Sequence, residues 1–399
     1  MFKSLRAHKI FINAILVFLM FSCKNSDSST SEDIVNKVFT RAEKQFQILA
    51  ESSPEGMSPR TLNPDGSVHY VKPKDWCSGF FPGSLWFLYD YTQKELWKNK
   101  ATLFTEPLEN QKKNNKTHDL GFMMYCSYGN AYRSTQKESY KEVIIQSAET
   151  LSKRFNPQVQ AIKSWDWGKD WQFPIIIDNM MNLELLFEAT ELSGNSKYAD
   201  IAVAHANTTM KSHFRDDYSS YHLVDFDSIT GKIIKQRTFQ GYSDSSAWAR
   251  GQGWGLYGYT LCYRYTKNPK YLTQAKKIAK YYMNHPSIPA DKIPYWDFHA
   301  PQIPNAPRDV SAAALVASAL LELQQYVQDD VSMEYIQYAE GILNSLASDT
   351  YLAKEGEIQG FLLKHSTGFF NKNKEIDVPL NYADYYALEA LLRYQKIRS

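Results

Sequence analysis

Apolar residues recur with helical spacing along most of the chain after residue 30. Ile34, Val38 and Phe46 lie on one such stripe, and residues 310–321 carry a second, nearly ideal one. The periodicity predicts about twelve helices, near residues 31–49, 79–92, 94–106, 119–134, 138–154, 176–192, 196–212, 246–265, 269–284, 309–325, 332–347 and 381–395. Alternation of period two is sparse and falls mainly at residues 221–234, which predicts a β-hairpin in a long loop.

A weak internal repeat organises these helices. A turn followed by a Tyr that opens a helix recurs at Tyr140, Tyr198, Tyr271 and Tyr335. The spacing corresponds to one helical hairpin in roughly 61 residues, or about six hairpins in residues 32–399. Helical hairpins bury their faces on neighbours, and a closed ring does this without capping repeats. We therefore expect an all-α fold, an (α/α)6 barrel in a single domain at 32–399, with an open solenoid as the alternative.

The first 22 residues resemble a targeting signal rather than part of the fold. Basic residues precede an apolar run at 10–21, as in secretory signals, and the run is shorter than the roughly 20 residues that span a membrane. Ser22 before Cys23, followed by polar residues, resembles a bacterial lipoprotein signal. We expect cleavage of 1–22, lipidation of Cys23, a polar tether at 23–31 and an exported protein, periplasmic or surface-facing, attached to a bacterial membrane only through its lipid. The alternative is an ordinary signal peptide with an incidental Cys.

Composition narrows the function classes. The 399-residue chain has 45 Lys and Arg against 43 Asp and Glu, which argues against nucleic-acid binding because that needs a basic surface. Aromatic residues make up 14% of the chain, which fits either a sugar-binding groove or a large packed core. After cleavage Cys77, Cys126 and Cys262 remain beside the lipidated one. Their number is odd, and we expect them to be small buried hydrophobic residues.

Polar and aromatic residues cluster where predicted helices begin, and a toroid would present these positions on one face. Trp76 precedes the second helix and is either a stacking platform for a sugar ring or a core residue. Asp119 is a functional candidate or an N-cap, since an Asp at a helix start commonly accepts bonds from free backbone N–H groups. His118 beside it is not needed for capping and forms a polar pair with it at a rim.

Asp178 lies in an unusually apolar stretch, flanked by three Ile and two Met. An apolar environment favours the protonated form of a carboxyl, which a general acid needs near neutral pH. A helix cap is again the alternative. His222 lies in the predicted hairpin, and a lone His is usually structural.

Residues 239–254, FQGYSDSSAWARGQGW, combine hydrogen-bonding, stacking and cationic side chains. The candidates in this run are Gln240, Trp248, Arg250 and Trp254. Its glycines resemble a phosphate loop, but the preceding strand and the Lys-Ser/Thr pair of such loops are missing, so no nucleotide site is expected. No His, Cys or carboxylate cluster has the spacing of a metal site, and we expect no metal.

Six motifs occur in order between about residues 70 and 395: W-x-x-G-F-x-P-G-x-L-W, H-D-L-G-F, I-I-D-N-M-M-N-L, W-A-R-G-Q-G-W, P-R-D-V-S-A-A-A and Y-A-D-Y-Y-x-x-E-A-L-L-R. Together they resemble glycoside hydrolase family 88, the unsaturated glucuronyl hydrolases. The resemblance implies an (α/α)6 barrel without a metal or organic cofactor. It also implies a small unsaturated oligosaccharide as substrate, made by polysaccharide lyases, from which the non-reducing-end Δ4,5-unsaturated glucuronic acid is released by hydration of C4=C5.

The same resemblance implies roles for individual residues. Asp178 would protonate C4 and then, as a base, activate water for attack at C5, while Asp119 would hold substrate hydroxyls and tune it. Trp76 and Trp248 would be wall or stacking residues. The remaining substrate contacts would be His118, His222, Gln240, Arg250, Trp254 and Tyr382. Gln240 and Arg250 are candidates either for the uronate carboxylate or for polarising the C5 side.

The sequence leaves alternatives for the role of three Lys residues and for the function as a whole. Lys364, Lys372 and Lys374 precede the last helix and either meet a sulfate on the neighbouring sugar or form a solvated basic loop. An unsaturated rhamnogalacturonyl hydrolase acting on pectin fragments and a non-catalytic glycan-binding lipoprotein are the alternative functions.

Overall fold

The computed structural model describes residues 26–398, with side chains from Asp33 onward. The predicted signal segment 1–22 and the predicted lipidation site Cys23 lie outside the described residues. The first helix begins at Ser26, so part of the segment 23–31 assigned above to a tether is helical. In the described part of the chain, no helix is both long enough and apolar enough to cross a membrane.

Twelve α-helices account for about half of the described chain. They are α1 (Ser26–Ser52), α2 (Phe80–Thr92), α3 (Glu95–Thr105), α4 (Asn130–Thr135), α5 (Glu138–Ser152), α6 (Asn179–Ser193), α7 (Lys197–Ser212), α8 (Ala249–Thr266), α9 (Pro269–Asn284), α10 (Val310–Leu323), α11 (Asp329–Leu346) and α12 (Asn381–Arg398). A π-helical segment, Gly121–Gly129, runs directly into α4. Short 3-10 helices lie at Glu106–Lys113, Gln324–Tyr326, Glu357–Gly360 and Phe370–Lys372.

The even-numbered helices form a closed inner ring. Going round it, α2 packs on the π-helical segment, which packs on α6, and the contacts continue through α8, α10 and α12 back to α2. Each odd-numbered helix from α3 to α11 is joined to the inner helix that precedes it. The contact between α12 and α2 closes the ring, so the (α/α)6 prediction is confirmed and an open solenoid is excluded.

The sequence of each helix matches its place in the two rings. Every residue of α10 is buried, as expected for an inner helix surrounded by protein, and its sequence VSAAALVASALLEL is apolar nearly all round. The outer helix α9 buries only one stripe, including Tyr271, Ile278 and Tyr282. Helices in the inner ring approach closely, and a Cβ on Gly258 would lie 2.4 Å from Cβ of Met180 on α6.

Short antiparallel strands occupy the connections that lead into inner helices. They are β1 (Ser58–Leu62), β2 (Val68–Val71), β3 (Phe155–Asn156), β4 (Ala161–Ile162), β5 (Pro174–Ile176), β6 (Leu223–Phe226), β7 (Ile233–Arg237), β8 (Ser366–Phe369) and β9 (Lys374–Val378). The pair β6–β7 is the hairpin predicted from the alternating pattern, and β5 adds a third strand to it. These strands therefore lie at one end of the barrel, where the inner helices begin.

The three described cysteines, Cys77, Cys126 and Cys262, are buried and free, as predicted.

Candidate active site

A cavity of about 260 Å³ opens where the inner helices begin. Its lining residues are Arg60, Trp76, Lys116, Thr117, His118, Asp119, Ser164, Trp165, Trp167, Ile176, Asp178, Phe239, Gln240, Trp248, Arg250, Gly368, Phe369, Glu375 and Tyr382. Because the N-terminal ends of the inner helices meet at this end of the barrel, their free N–H groups and dipoles favour negative charge there. The cavity is thus suited to an anionic ligand.

Asp178 is positioned by the register of the small sheet. Ile176 of β5 pairs with Leu223 of β6, and the backbone N–H of Ile177 donates to the carbonyl oxygen of His222 at 3.0 Å, which brings Asp178, the next residue, close to the His222 side chain. Although Asp178 occupies the N-cap position of α6, its side chain makes no cap hydrogen bond. The capping interpretation therefore does not explain this carboxyl.

The tautomer of His222 follows from its hydrogen bonds. Its Nδ1 accepts from the backbone N–H groups of Phe239 at 2.9 Å and Gln240 at 3.0 Å, so the ring proton must lie on Nε2. This Nε2 is 3.5 Å from Oδ2 of Asp178, and both atoms are buried without a hydrogen-bond partner among the described residues. His222 does not line the cavity but stands behind Asp178, leaving Oδ1 as the carboxyl oxygen available to a ligand.

Asp119 has a different environment. Thr117 donates from Oγ1 to its Oδ2 at 2.7 Å, and Nε2 of His118 lies 3.2 Å from its Oδ1. Burial raises the pKa of Asp119, the nearby charge of His118 and the Thr117 bond oppose this, and the negative charge of Asp178 adds to the rise. The π-helical segment that follows has no side-chain cap, so Asp119 is not a cap either.

Arg250 is held rigidly in the cavity wall. Its Nη1 bonds Asp309 Oδ2 at 2.5 Å and the carbonyl oxygen of Thr367 at 2.6 Å, and its Nη2 donates to the carbonyl oxygen of Gly368 at 2.7 Å. Asp309 also accepts from the backbone N–H of Ser311 and so caps α10. Only Nε and one proton of Nη2 are left without a partner in the described part of the chain, and these are the groups that can meet a ligand.

The other predicted site residues of the cavity lie around Asp178, Asp119 and Arg250. Trp248 packs edge-on against His222 with ring centres 5.0 Å apart and lies under the Arg250 guanidinium at 4.5 Å. Trp76 and Tyr382 pack at 5.1 Å, and the hydroxyl of Tyr382 is buried without a partner among residues 33–398. Nε2 of Gln240 donates to the carbonyl oxygen of Gly368 across 3.3 Å.

The profile of Glycosyl Hydrolase Family 88 matches residues 50–397. The chain belongs to this family and is a glycoside hydrolase. No group of three or more His, Cys, Asp or Glu side chains that could hold a metal ion occurs in the described part of this family 88 enzyme.

Individual relatives agree with the family assignment. The unsaturated glucuronyl hydrolase of Formosa agariphila is 48% identical over 392 residues, covering 96% of both chains. A crystal structure of an unsaturated glucuronyl hydrolase specific for heparin superposes with a TM-score of 0.90 at 50% identity, covering 92% of this chain and 98% of that one. A variant of the Streptococcus agalactiae unsaturated glucuronyl hydrolase, complexed with dGlcA-GalNAc6S, superposes with a TM-score of 0.77 at 31% identity and 92% coverage of both chains.

Nine of the ten predicted site residues lie in or directly behind the cavity of the family 88 enzyme. The exception is Trp254, which is 1% exposed and packs below it between Phe122 and Tyr386. Lys364, Lys372 and Lys374 do not line the cavity, and Lys364 bonds the carbonyl oxygen of Asp349. The hairpin β8–β9 nevertheless contributes Gly368, Phe369 and Glu375 to the lining of the cavity.

Several lining residues were not predicted from the sequence. Arg60 and Glu375 form a two-bond ion pair at the rim, with Nε to Oε1 at 2.6 Å and Nη2 to Oε2 at 3.0 Å. Trp165 and Trp167 line the mouth together with Phe239. The sequence signal that could have indicated these two Trp residues is the run S-W-D-W-G-K-D-W, which places three Trp in seven residues outside any helical stripe.

Proposed function

We propose that this enzyme releases the Δ4,5-unsaturated glucuronic acid from the non-reducing end of small oligosaccharides by hydrating its C4=C5 bond. The observation that carries the proposal is Asp178, a carboxyl at the cavity wall with Oδ1 available and Oδ2 3.5 Å from Nε2 of His222. The names and ligands of the family 88 relatives support it, since they include unsaturated glucuronyl hydrolases and a complex with a dGlcA disaccharide.

The reaction needs one group that acts first as an acid and then as a base. Asp178 gives its proton to C4, and positive charge develops at C5 and the ring oxygen. The carboxylate that remains faces the N–H of His222, which favours its negative charge. It then takes a proton from a water molecule whose oxygen attacks C5, and the resulting hemiketal opens and releases the sugar behind it.

The surrounding groups bind and orient the unsaturated uronate. The helix N-terminal ends and the two free N–H groups of Arg250 favour its carboxylate, and Gln240 offers an amide on the same side. Asp119 is fixed by Thr117 and His118, so it can accept hydrogen bonds from ring hydroxyls in a defined direction. Trp76 and Trp248 supply apolar faces for the ring.

The substrate must come from a lyase, because β-elimination in a uronic-acid polysaccharide creates the C4=C5 bond. Lyase products of glycosaminoglycans or of ulvan are therefore the proposed substrates. A rhamnogalacturonyl substrate from pectin remains the alternative and differs in the sugar that follows the uronate. We also propose that the enzyme is exported and held on a bacterial membrane by a lipid on Cys23, which the signal-like residues 1–22 support.

Loss of the ultraviolet absorbance of the conjugated double bond tests the proposal directly. We expect the wild-type enzyme to abolish the absorbance of unsaturated glycosaminoglycan or ulvan disaccharides, with pectin-derived disaccharides assayed beside them. Asp178→Asn should lower kcat by roughly 10²- to 10⁴-fold, the usual contribution of general acid–base catalysis, with little effect on folding. The exposed Asp216→Asn is the matched control and should retain full activity. Full activity in Asp178→Asn would reject the mechanism.

A further inference from the structure

Trp167 differs from the other Trp residues of this chain in its exposure to solvent. All nine Trp lie in the described part, and Trp167 is the one with an exposed side chain, at 55%. It belongs to the loop between β4 and β5, at the mouth of the cavity. Exposing an indole to water is unfavourable, and a large exposed apolar side chain beside a binding cavity commonly marks a contact surface.

The surroundings of Trp167 hold its ring in a fixed orientation. It stacks on Trp165 with ring centres 4.8 Å apart and an angle of 11° between the planes. Phe239 supports both rings, at 5.5 Å from Trp165 and 5.6 Å from Trp167. We refer to Trp165, Trp167 and Phe239 as the aromatic wall. Since Trp165 covers one face of Trp167, the opposite face is the one left open.

The aromatic wall continues outward from the catalytic group. Ile176, two residues before Asp178, packs with Trp165, which is 7% exposed, and Trp167 lies beyond it. Trp165 and Trp167 both line the cavity, and the greater exposure of Trp167 places it toward the mouth, so the wall offers aromatic side chains to rings that follow an unsaturated ring at Asp178.

We propose that Trp167 forms an additional stacking subsite for a sugar ring beyond the disaccharide. The ligand class is a pyranose ring of the same unsaturated oligosaccharide, which presents its C–H face to the indole. The inference rests on the proposed function and extends it, because it makes the enzyme sensitive to chain length. A disaccharide ends before this subsite, whereas a tetrasaccharide fills it.

The test compares kcat/KM for an unsaturated tetrasaccharide with kcat/KM for the disaccharide from the same polysaccharide. Removal of one stacking contact weakens binding roughly three- to tenfold, so Trp167→Ala should lower the tetrasaccharide-to-disaccharide ratio by about that factor. Trp167→Phe keeps a ring and should restore part of the ratio. Trp171→Ala is the matched control, because Trp171 lies on the same loop and packs against the buried cluster of Trp165, Ile176 and Leu223 without lining the cavity, so its loss reports the effect of weakened support alone.

The outcomes separate the possible roles of Trp167. A fall in the ratio with Trp167→Ala but not with Trp171→Ala supports the subsite. Equal loss of activity on both substrates would overturn it, because Trp167 would then only support Trp165. An unchanged ratio without any loss would also overturn it. If the wild-type enzyme leaves both substrates unchanged, the proposed function itself fails, and that result is distinct from turnover with an unchanged ratio.

Discussion

His205 is a buried histidine that is connected through two hydrogen bonds to Asn179, the residue after Asp178. It lies on α7 with no exposed surface, and its Nδ1 accepts from the backbone N–H of Ile162 at 3.0 Å. The carbonyl oxygen of Ile162 in turn accepts from Nδ2 of Asn179, the residue after Asp178, at 3.0 Å. A proton on Nδ1 of His205 would break the first of these bonds.

Burial lowers the pKa of His205 from 6.5 to about 3, and the charges of His213 and His118 act in the same direction. Below pH 6.5 the unfolded chain takes up a proton at this position while the folded protein does not. The contribution of His205 to stability is therefore complete above pH 6.5 and is lost as the pH falls toward 3. At pH 5, 1.5 pH units below the unfolded value, the loss in the free energy of unfolding is about 2 kcal/mol.

The pH profile of the wild-type protein alone does not isolate this effect. Burial raises the pKa of Asp384 to about 8, so this carboxyl stabilises the fold at low pH and loses that contribution as the pH rises toward 8. We therefore compare the wild type with His205→Asn, whose amide oxygen can accept from Ile162 but does not titrate. In urea unfolding, the stability advantage of the wild type over the variant should shrink by about 2 kcal/mol from pH 7 to pH 5. A constant difference would refute the reasoning.

Two further predictions concern the buried ion pair of Arg250 and Asp309 and the proposed lipid anchor at Cys23. Asp309→Asn leaves Arg250 buried without its charge partner, so the variant should have a free energy of unfolding about 3–5 kcal/mol lower than that of the wild type. Urea unfolding measures this loss, and kcat/KM is measured beside it. A variant within about 1 kcal/mol of the wild type would contradict the importance of this pair. Cys23→Ser should abolish incorporation of labelled palmitate and move the enzyme from the membrane fraction to the soluble exported fraction. Lipid labelling that persists in this variant would place the anchor elsewhere.

The outer helices could be predicted because each of them buries one face, which leaves a periodic pattern of apolar residues in the sequence. Outer helices such as α9 bury one stripe, and their bounds follow the periodic pattern closely, with 269–284 both predicted and observed. The π-helical turn at Gly121–Gly129 could not be predicted, because that segment is buried on nearly every side and its periodicity is weak. A tertiary contact accompanies it: a Cβ on Gly121 would lie 2.5 Å from Cα of Asn182, so the π-helical segment and α6 meet there at very short range.

The candidate site was predictable only in part, because its decisive contacts join residues far apart in the chain. Trp76, Asp119 and Asp178 stand out in the sequence since they precede inner helices, where a toroid gathers them. The partners that fix Arg250 include the carbonyl oxygen of Thr367, 117 residues away, and no local pattern indicates such a bond. The same holds for the two backbone N–H groups that set the tautomer of His222.

The two aspartates differ in a way that bears on which of them transfers protons. Asp119 is bonded by Thr117 and adjoins His118, so a change in its charge would disturb contacts already formed. Oδ2 of Asp178 is buried without a hydrogen-bond partner in the described part of the chain, an arrangement that costs free energy in a folded protein and calls for an explanation. A carboxyl that must be neutral before proton transfer and charged after it cannot have ideal bonds in both states. The 3.5 Å gap to Nε2 of His222 is consistent with a group that completes its hydrogen bond only once it has become a carboxylate.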